Sequence, residues 1–196
     1  TTPLDFATNA NISYVATNGS TKTANPTTAS ITDTNEGWSW DHTRKTLTLN
    51  GLMLDHSAGT GEAQGEIFMP SSAYIIANGT NSVIGGTGGA GNGVGIMADA
   101  YLCIRGGGTL NVVADSIGIA SPKDSLAIYD RGTTVYSEAR GTDGIGFSVR
   151  DTFIIKDEAT VYAKGSKFAI YVRSTYISTD NATATGSKEP FVPGTT

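Results

Sequence analysis

Apolar and polar residues alternate in short runs along most of this chain, and Gly, Asp, Asn or Pro separates the runs. An alternation of period 2 marks half-buried β-strands, whereas a helix would show spacing near 3.6. The runs also recur. Four segments align directly: GVGIMADAYLCIRGGGTLNVVAD from Gly93, SIGIASPKDSLAIYDRGTTVYSEARGTD from Ser116, GIGFSVRDTFIIKDEATVYAKGSK from Gly144 and FAIYVRSTYISTDNATATGSK from Phe168. Their starts lie 23, 28 and 24 residues apart, and looser copies begin at Glu66 and Thr46. Each copy holds three β-type stretches in a fixed order. Repeats of this length stack, because one copy alone cannot bury its apolar face. The pattern predicts an all-β chain: a parallel β-helix (β-solenoid) with three short strands per coil and about five to six coils, right-handed by the general crossover preference. An antiparallel sandwich also has many short strands, but it does not require the same three in the same order.

Side-chain direction alternates along each strand, so the copies define columns. The expected inward pairs of the first strand are Val94/Ile96, Ile117/Ile119, Ile145/Phe147 and Phe168/Ile170. Those of the second are Leu47/Leu49, Tyr74/Ile76, Leu102/Ile104, Leu126/Ile128, Phe153/Ile155 and Tyr176/Ser178. The third gives Leu110/Val112, Val135/Ser137, Val161/Ala163 and Ala184/Gly186, a column that tapers at its end. Residues 1–36 lack the repeat and are expected to cap the solenoid, with NISYVAT as one strand. Residues 37–186 form the coils, entered by a strand pair in GWSWDHTRKTLTLNG. Residues 187–196, with two prolines, read as a linker.

Composition narrows the function classes. The 25 Gly among many Thr, Asn and Ser favour turns and short strands. A net charge of −5, with no Lys/Arg stripe, argues against a nucleic-acid partner. No apolar run is long enough for a helical membrane span. The single cysteine, Cys103, allows neither an internal disulfide nor a CxxC site. The chain opens on Thr1 and shows no signal segment, which fits a mature form or an excised domain.

The outward columns carry the candidate chemistry. On the third strand, Thr109, Thr134, Thr160 and Thr183 form one row, and Asn111, Tyr136, Tyr162 and Thr185 a second. Stacked at about 4.8 Å, they present rings beside hydroxyls and an amide, which suits a sugar. Equally, Tyr and Thr pairs stabilise sheets with no ligand. On the second strand, Ile75, Cys103, Ala127, Ile154 and Ile177 make an apolar outward row. Such a row calls for a cover, either the N-terminal cap or a protein partner on the Ile154/Ile177 face. Cys103 then reads as a small buried hydrophobe. Gly95, Gly118, Gly146 and Ala169 are expected to face outward on the first strand, where something approaches the backbone closely. Before that strand, Asn92, Asp115, Asp143 and Ser166 align at one turn. They serve as turn caps or as oxygen ligands for Ca²⁺. Asp124 and Asp151 repeat that choice before the second strand. A glycosidase needs two carboxyls about 5–9.5 Å apart, and no such pair is evident on the third-strand face, whose charged residues are Glu138 and Lys164.

The rhythm GI-x-(S/A)-x-(D)-x-L-x-I-x-G-G-T-(L/V)-x-V, with Asp before the GI, resembles the clostridial-type cell-surface carbohydrate-binding parallel β-helix family over roughly residues 46–185. It is carried by GIMADAYLCIRGGGTLNV, GIASPKDSLAIYDRGTTV and TDGIGFSVRDTFIIKDEATV. The WSWD…TLTL entry is similar to repeats of large Firmicutes surface proteins. The resemblance implies an extracellular or cell-surface protein that binds acidic plant polysaccharides such as polygalacturonate, with calcium held by Asp-rich turns. Here those turns carry single Asp residues where the family often has pairs. The expected function is polysaccharide binding without catalysis, with Tyr136, Tyr162, Asn111, Thr134 and Thr160 as the platform. Asn92, Asp115 and Asp143 are the candidate metal ligands. A structural stalk or adhesin domain is the alternative, and a polysaccharide lyase or hydrolase the second.

Overall fold

The computed structural model describes residues 3–58, 65–86, 93–178 and 183–185, with residues 176–178 and 183–185 described by backbone alone. Every regular element is a strand. The N-terminal region supplies β1 (Leu4–Asp5) and an antiparallel hairpin of β2 (Ile12–Val15) and β3 (Thr21–Ala24). A second hairpin joins β4 (Trp38–Asp41) to β5 (Thr46–Asn50) through the HTRK turn, and β6 (Met53–Asp55) follows. Five triplets then succeed one another. They are β7 (Ile67–Met69), β8 (Ala73–Asn78) and β9 (Thr80–Ile84); β10 (Val94–Ala98), β11 (Leu102–Arg105) and β12 (Thr109–Ala114); β13 (Ile117–Ser121), β14 (Leu126–Ile128) and β15 (Thr134–Ala139); β16 (Ile145–Val149), β17 (Thr152–Ile155) and β18 (Thr160–Gly165); and β19 (Phe168–Val172), β20 (Thr175–Ser178) and β21 (Thr183–Thr185).

The members of each triplet enter three separate sheets in turn. The first sheet has the order β1-β7-β10-β13-β16-β19. The second is β20-β17-β14-β11-β8-β5-β4 and the third β21-β18-β15-β12-β9-β6. All pairings between coils are parallel; β4 alone joins a solenoid sheet antiparallel. This is a parallel β-helix. Its core is the space enclosed by the three sheets, filled by Leu47, Leu49, Leu102, Ile104, Leu126, Ile128, Phe153 and Ile155 from the second sheet. Leu110, Val112, Val135 and Val161 enter from the third. Phe147 and Phe153 meet across it with centroids 5.0 Å apart. At the N-terminal end, Phe6, Tyr14 and Ile31 cover the first coil. Phe6 packs on Trp40 (4.7 Å) and Trp38 (5.7 Å), and the Trp40 indole donates to the Pro26 carbonyl at 2.8 Å. Aromatic burial there closes a core that would otherwise meet water.

Three expected side-chain directions are corrected. In β8, Ala73, Ile75 and Ala77 face the core, while Tyr74 and Ile76 are only half-buried. Ile75 pairs with Ile104 and Leu47, and Tyr74 with Cys103. A slip of one residue exchanges the faces of a strand, and the run Tyr-Ile-Ile is apolar in both phases. In the first sheet, Ile96, Ile119, Phe147 and Ile170 are buried as expected, but Ile117, Ile145 and Phe168 are half-buried. The glycine column does not face outward. Side-chain positions built on Gly95 and Gly118 run into Val112 and Ser137, residues of the third sheet that point into the core. Gly118 and Ile119 are therefore both turned inward, so alternation breaks at the corner where the chain passes from the third sheet to the first. The close neighbour that the glycines accommodate is the protein's own third sheet. The pairs Tyr176/Ser178 and Ala184/Gly186, and residues 187–196, lie outside what is described of side chains.

Candidate functional site

The outer face of the third sheet follows from register. Thr80, Thr109, Thr134, Thr160 and Thr183 pair in one row. Met53, Ser82, Asn111, Tyr136, Tyr162 and Thr185 pair in the next. The structure thus brings Asn111, Tyr136, Tyr162, Thr134 and Thr160 together on one face, with Tyr136 40% exposed. The two tyrosine rings are stacked on each other, with centroids 4.4 Å apart and planes 6° from parallel. Their inner faces are spent on that contact, which the rung spacing dictates. Outward the pair presents ring edges and phenol hydroxyls, so the row is a hydrogen-bonding strip more than an aromatic platform.

A third row on this face runs Asp55, Ile84, Val113, Glu138 and Lys164. Glu138 accepts from Lys164 at 2.9 Å and lies 3.5 Å from Arg140. The Lys164 bond, with a smaller part from Arg140, holds its carboxyl below the ordinary range. A general acid needs the opposite shift. Asp55 is three rungs away, about 14 Å at the usual strand spacing, beyond the separation that either class of glycosidase uses.

The turn residues are engaged with protein. Asp143 pairs with Lys167 at 3.3 Å, and Ser166 accepts from the Gly144 N–H at 2.7 Å. The Asp115 carbonyl accepts the Gly141 N–H, and Asp124 accepts the Ser125 N–H. Asn92 lies outside the described residues, among which no three His, Cys, Asp or Glu side chains gather to hold a metal.

On the second sheet the outward row is Thr46, Tyr74, Cys103, Ala127, Ile154 and Ile177. Cys103 and Ala127 are buried. The expected cover was the N-terminal segment, but that segment sits at the end of the solenoid. Tyr101, hydrogen-bonded to Cys103, and Tyr129 lie beside Cys103 in this row, and Arg105 lies 5.8 Å over the ring of Tyr74. Ile154 is half-buried; the Ile177 side chain lies outside the description. Burial raises the thiol pKa of Cys103, only partly opposed by its hydrogen bond to Tyr101. A raised pKa keeps the unreactive thiol form at neutral pH. Iodoacetamide at pH 8 should therefore leave native Cys103 unlabelled while labelling it fully in guanidinium; mass spectrometry reads the difference, and rapid native labelling would contradict the burial.

Two features have no signature in the repeat. His56 Nδ1 meets the buried Glu66 carboxylate, whose other oxygen accepts the Gly86 N–H at 3.2 Å. A carboxylate that orients an imidazole is half of many nucleophilic sites. Here, however, His56 Nε2 is buried and has no hydrogen-bond partner among the described residues. The second feature is a cleft of about 900 Å³ between the β2–β3 hairpin, the 32–39 segment and β6. The first sheet ends at β1 and the second at the antiparallel β4, but among the described residues no strand continues the third beyond β6. Its terminal edge opens into the cleft, where Met53 is 69% exposed. Comparison with known protein families, curated proteins and solved structures finds no match for this chain.

Proposed function

We propose that this chain is a non-catalytic polysaccharide-binding module, secreted or held at the cell surface, that takes an extended glycan along the outer face of its third sheet. The observation that carries this reading is the outward, in-register row of Ser82, Asn111, Tyr136 and Tyr162 beside the Thr row, with Tyr136 exposed and the other three half-buried. From Met53 to Tyr162 the row spans four rungs, about 19 Å, a length that matches several sugars of one chain. Each rung from Ser82 to Tyr162 offers a hydroxyl or amide able to donate and accept, as a polyhydroxylated ligand requires. Many weak, repeated contacts give binding that grows with chain length, which suits a polymer more than a free sugar. The Thr-, Asn- and Gly-rich composition with few lysines is consistent with an exported protein. Calcium is not part of this reading, since the carboxylate of Asp143 already meets Lys167.

Affinity electrophoresis and a polysaccharide array test it with wild type and a Tyr136→Ala/Tyr162→Ala variant. We expect retardation of wild type by at least one polymer and a loss of about tenfold in the variant, whose melting temperature falls by a few degrees as the stacked pair is lost but which stays folded at the assay temperature; two lost hydrogen-bonding side chains account for the loss of binding. Equal binding by both proteins would remove the site, and failure of wild type to bind any glycan would favour a structural stalk or adhesin.

A further inference from the structure

We infer that the cleft under the N-terminal hairpin is a second, end-on sugar site, and that it selects neutral sugars over uronates. The inference rests on the glycan-binding reading and extends it to where a bound chain ends and to what its sugars carry. Met53 belongs both to the cleft wall and to the first rung of the outward row, so a chain lying along the row leads into the cleft. The volume, about 900 Å³, is within the range of small-ligand pockets.

The walls are rigidly held, and their remaining polar groups are unspent. Asn50 N–H donates to the Gly37 carbonyl at 2.7 Å and Asn35 N–H to the Val15 carbonyl at 2.8 Å, tying the hairpin and the loop to the first coil. Asn81 Oδ1 accepts the N–H groups of Gly51 and Leu52 from below. By contrast, the side chains of Ser13, Thr21, Thr32, Asn35 and Ser39 line the cleft and make no hydrogen bond to another described residue. Tyr14 and Trp38 are buried beneath the cleft, rings 6.0 Å apart and edge to face, and support its base. A cleft with five free hydroxyl or amide groups on its walls matches the hydroxyl pattern of a sugar ring.

Charge decides the class of sugar. The lining holds one ionisable carboxyl, Glu36, which accepts from the Trp38 indole at 3.3 Å, and no Lys, Arg or His. Lys22, on the adjoining strand, is already paired with Asp33 at 2.7 Å. A uronate carboxylate entering here would meet a like charge with no cation to offset it. On the open face the one cation in the three outward rows, Lys164, is matched by Glu138.

Titration calorimetry with neutral trisaccharides (gluco-, manno-, galacto- and xylo-) and with trigalacturonate tests the inference on four proteins: wild type, Ser13→Trp to fill the cleft mouth, Thr32→Ala/Asn35→Ala to remove two of its free groups, and Tyr136→Ala/Tyr162→Ala on the open face. Ser13, Thr32 and Asn35 are exposed, and the second variant keeps the test valid should the tryptophan perturb the hairpin. We expect wild type to bind a neutral trisaccharide at least tenfold more tightly than trigalacturonate. Each cleft variant should lose about tenfold, and the face variant should stay within twofold. Cleft variants that bind like wild type overturn the cleft while leaving the open face standing. Preference for trigalacturonate overturns the charge selection. Absence of binding to trisaccharides and polymers alike overturns both this inference and the function it rests on.

Discussion

Replacing Asn81 with leucine should destabilise the protein by about 3–5 kcal/mol, although the site is fully buried among apolar residues. Asn81 sits in β9 on the inward column of the third sheet, paired with Leu110 on the next coil. By hydrophobicity alone the change favours folding, since a buried leucine contributes about 2 kcal/mol. The amide, however, is fully used. Its oxygen accepts the Gly51 and Leu52 N–H groups at 2.9 and 3.0 Å, and its nitrogen donates to the carbonyls of Asn78 and Thr109 at 3.0 and 3.2 Å. Leucine would remove all four hydrogen bonds at the end of the solenoid and leave the buried Leu52 N–H without its acceptor. A buried orphan costs about 1–3 kcal/mol and each other lost bond about 0.5–1.5 kcal/mol, so together they outweigh the apolar gain. Thermal melts should show a drop of roughly 10–15 °C for a chain of this size. Asn111→Leu, one rung away but facing outward, is the control and should change stability by less than about 0.5 kcal/mol. A melting point for Asn81→Leu within 3 °C of wild type would remove the hydrogen-bond account.

That asparagine shows where reading the repeat stops. The columns of the third strand were legible from Gly93 onward because they have one apolar phase: Leu110, Val112, Val135 and Val161 leave no choice of register, and the rows through Thr134 and Tyr136 follow automatically. The second strand is apolar in both phases, and only its larger residues, Leu102, Leu126 and Phe153, mark the inward one. In β8 the run Tyr74-Ile75-Ile76 is apolar in both phases, and the expected face was wrong by one residue. Asn81 breaks an apolar column, and a sequence does not reveal whether such a break is a defect or a network. The cleft was invisible for a different reason. Its walls come from residues 4 to 54, which share no period, and it exists because among the described residues no strand continues the third sheet beyond β6. His56 and Glu66 were likewise ten residues apart with no motif between them; only the return of the chain to the next coil joins them. The stacking of Tyr136 on Tyr162 lies between these cases, since register predicts the adjacency but rotamers decide that the rings face each other.

Gly118 discriminates most sharply between the expected and the observed corner, because the two disagree in sign. Were Gly118 outward, alanine would stiffen the strand and stabilise it by about 0.5–1 kcal/mol. In the structure an added Cβ runs into Ser137 Oγ and comes within 2.7 Å of the Gly146 carbonyl oxygen and 3.3 Å of the Glu138 backbone nitrogen. Ser137 Oγ donates to that same carbonyl at 2.7 Å in a buried setting. Alanine must therefore displace the hydroxyl, break its bond and push against backbone of the adjoining coil. Overpacking costs about 1–3 kcal/mol and the buried Ser137 hydroxyl, left without its acceptor, about 1–3 kcal/mol, which sets the expected loss for Gly118→Ala at about 3–5 kcal/mol. Ser137→Ala alone should lose about 1 kcal/mol, the ordinary value of one hydrogen bond. The double variant removes the hydroxyl that the new methyl strikes but keeps the contact with the Gly146 carbonyl, so it should recover at least 1 kcal/mol relative to the sum of the singles. Additivity within 0.5 kcal/mol, or a stabilising Gly118→Ala, would return the glycine column to the outer face. The observed geometry requires the opposite: in the Gly118 coil the first sheet closes against Ser137 of the third because the residue at the corner has no side chain.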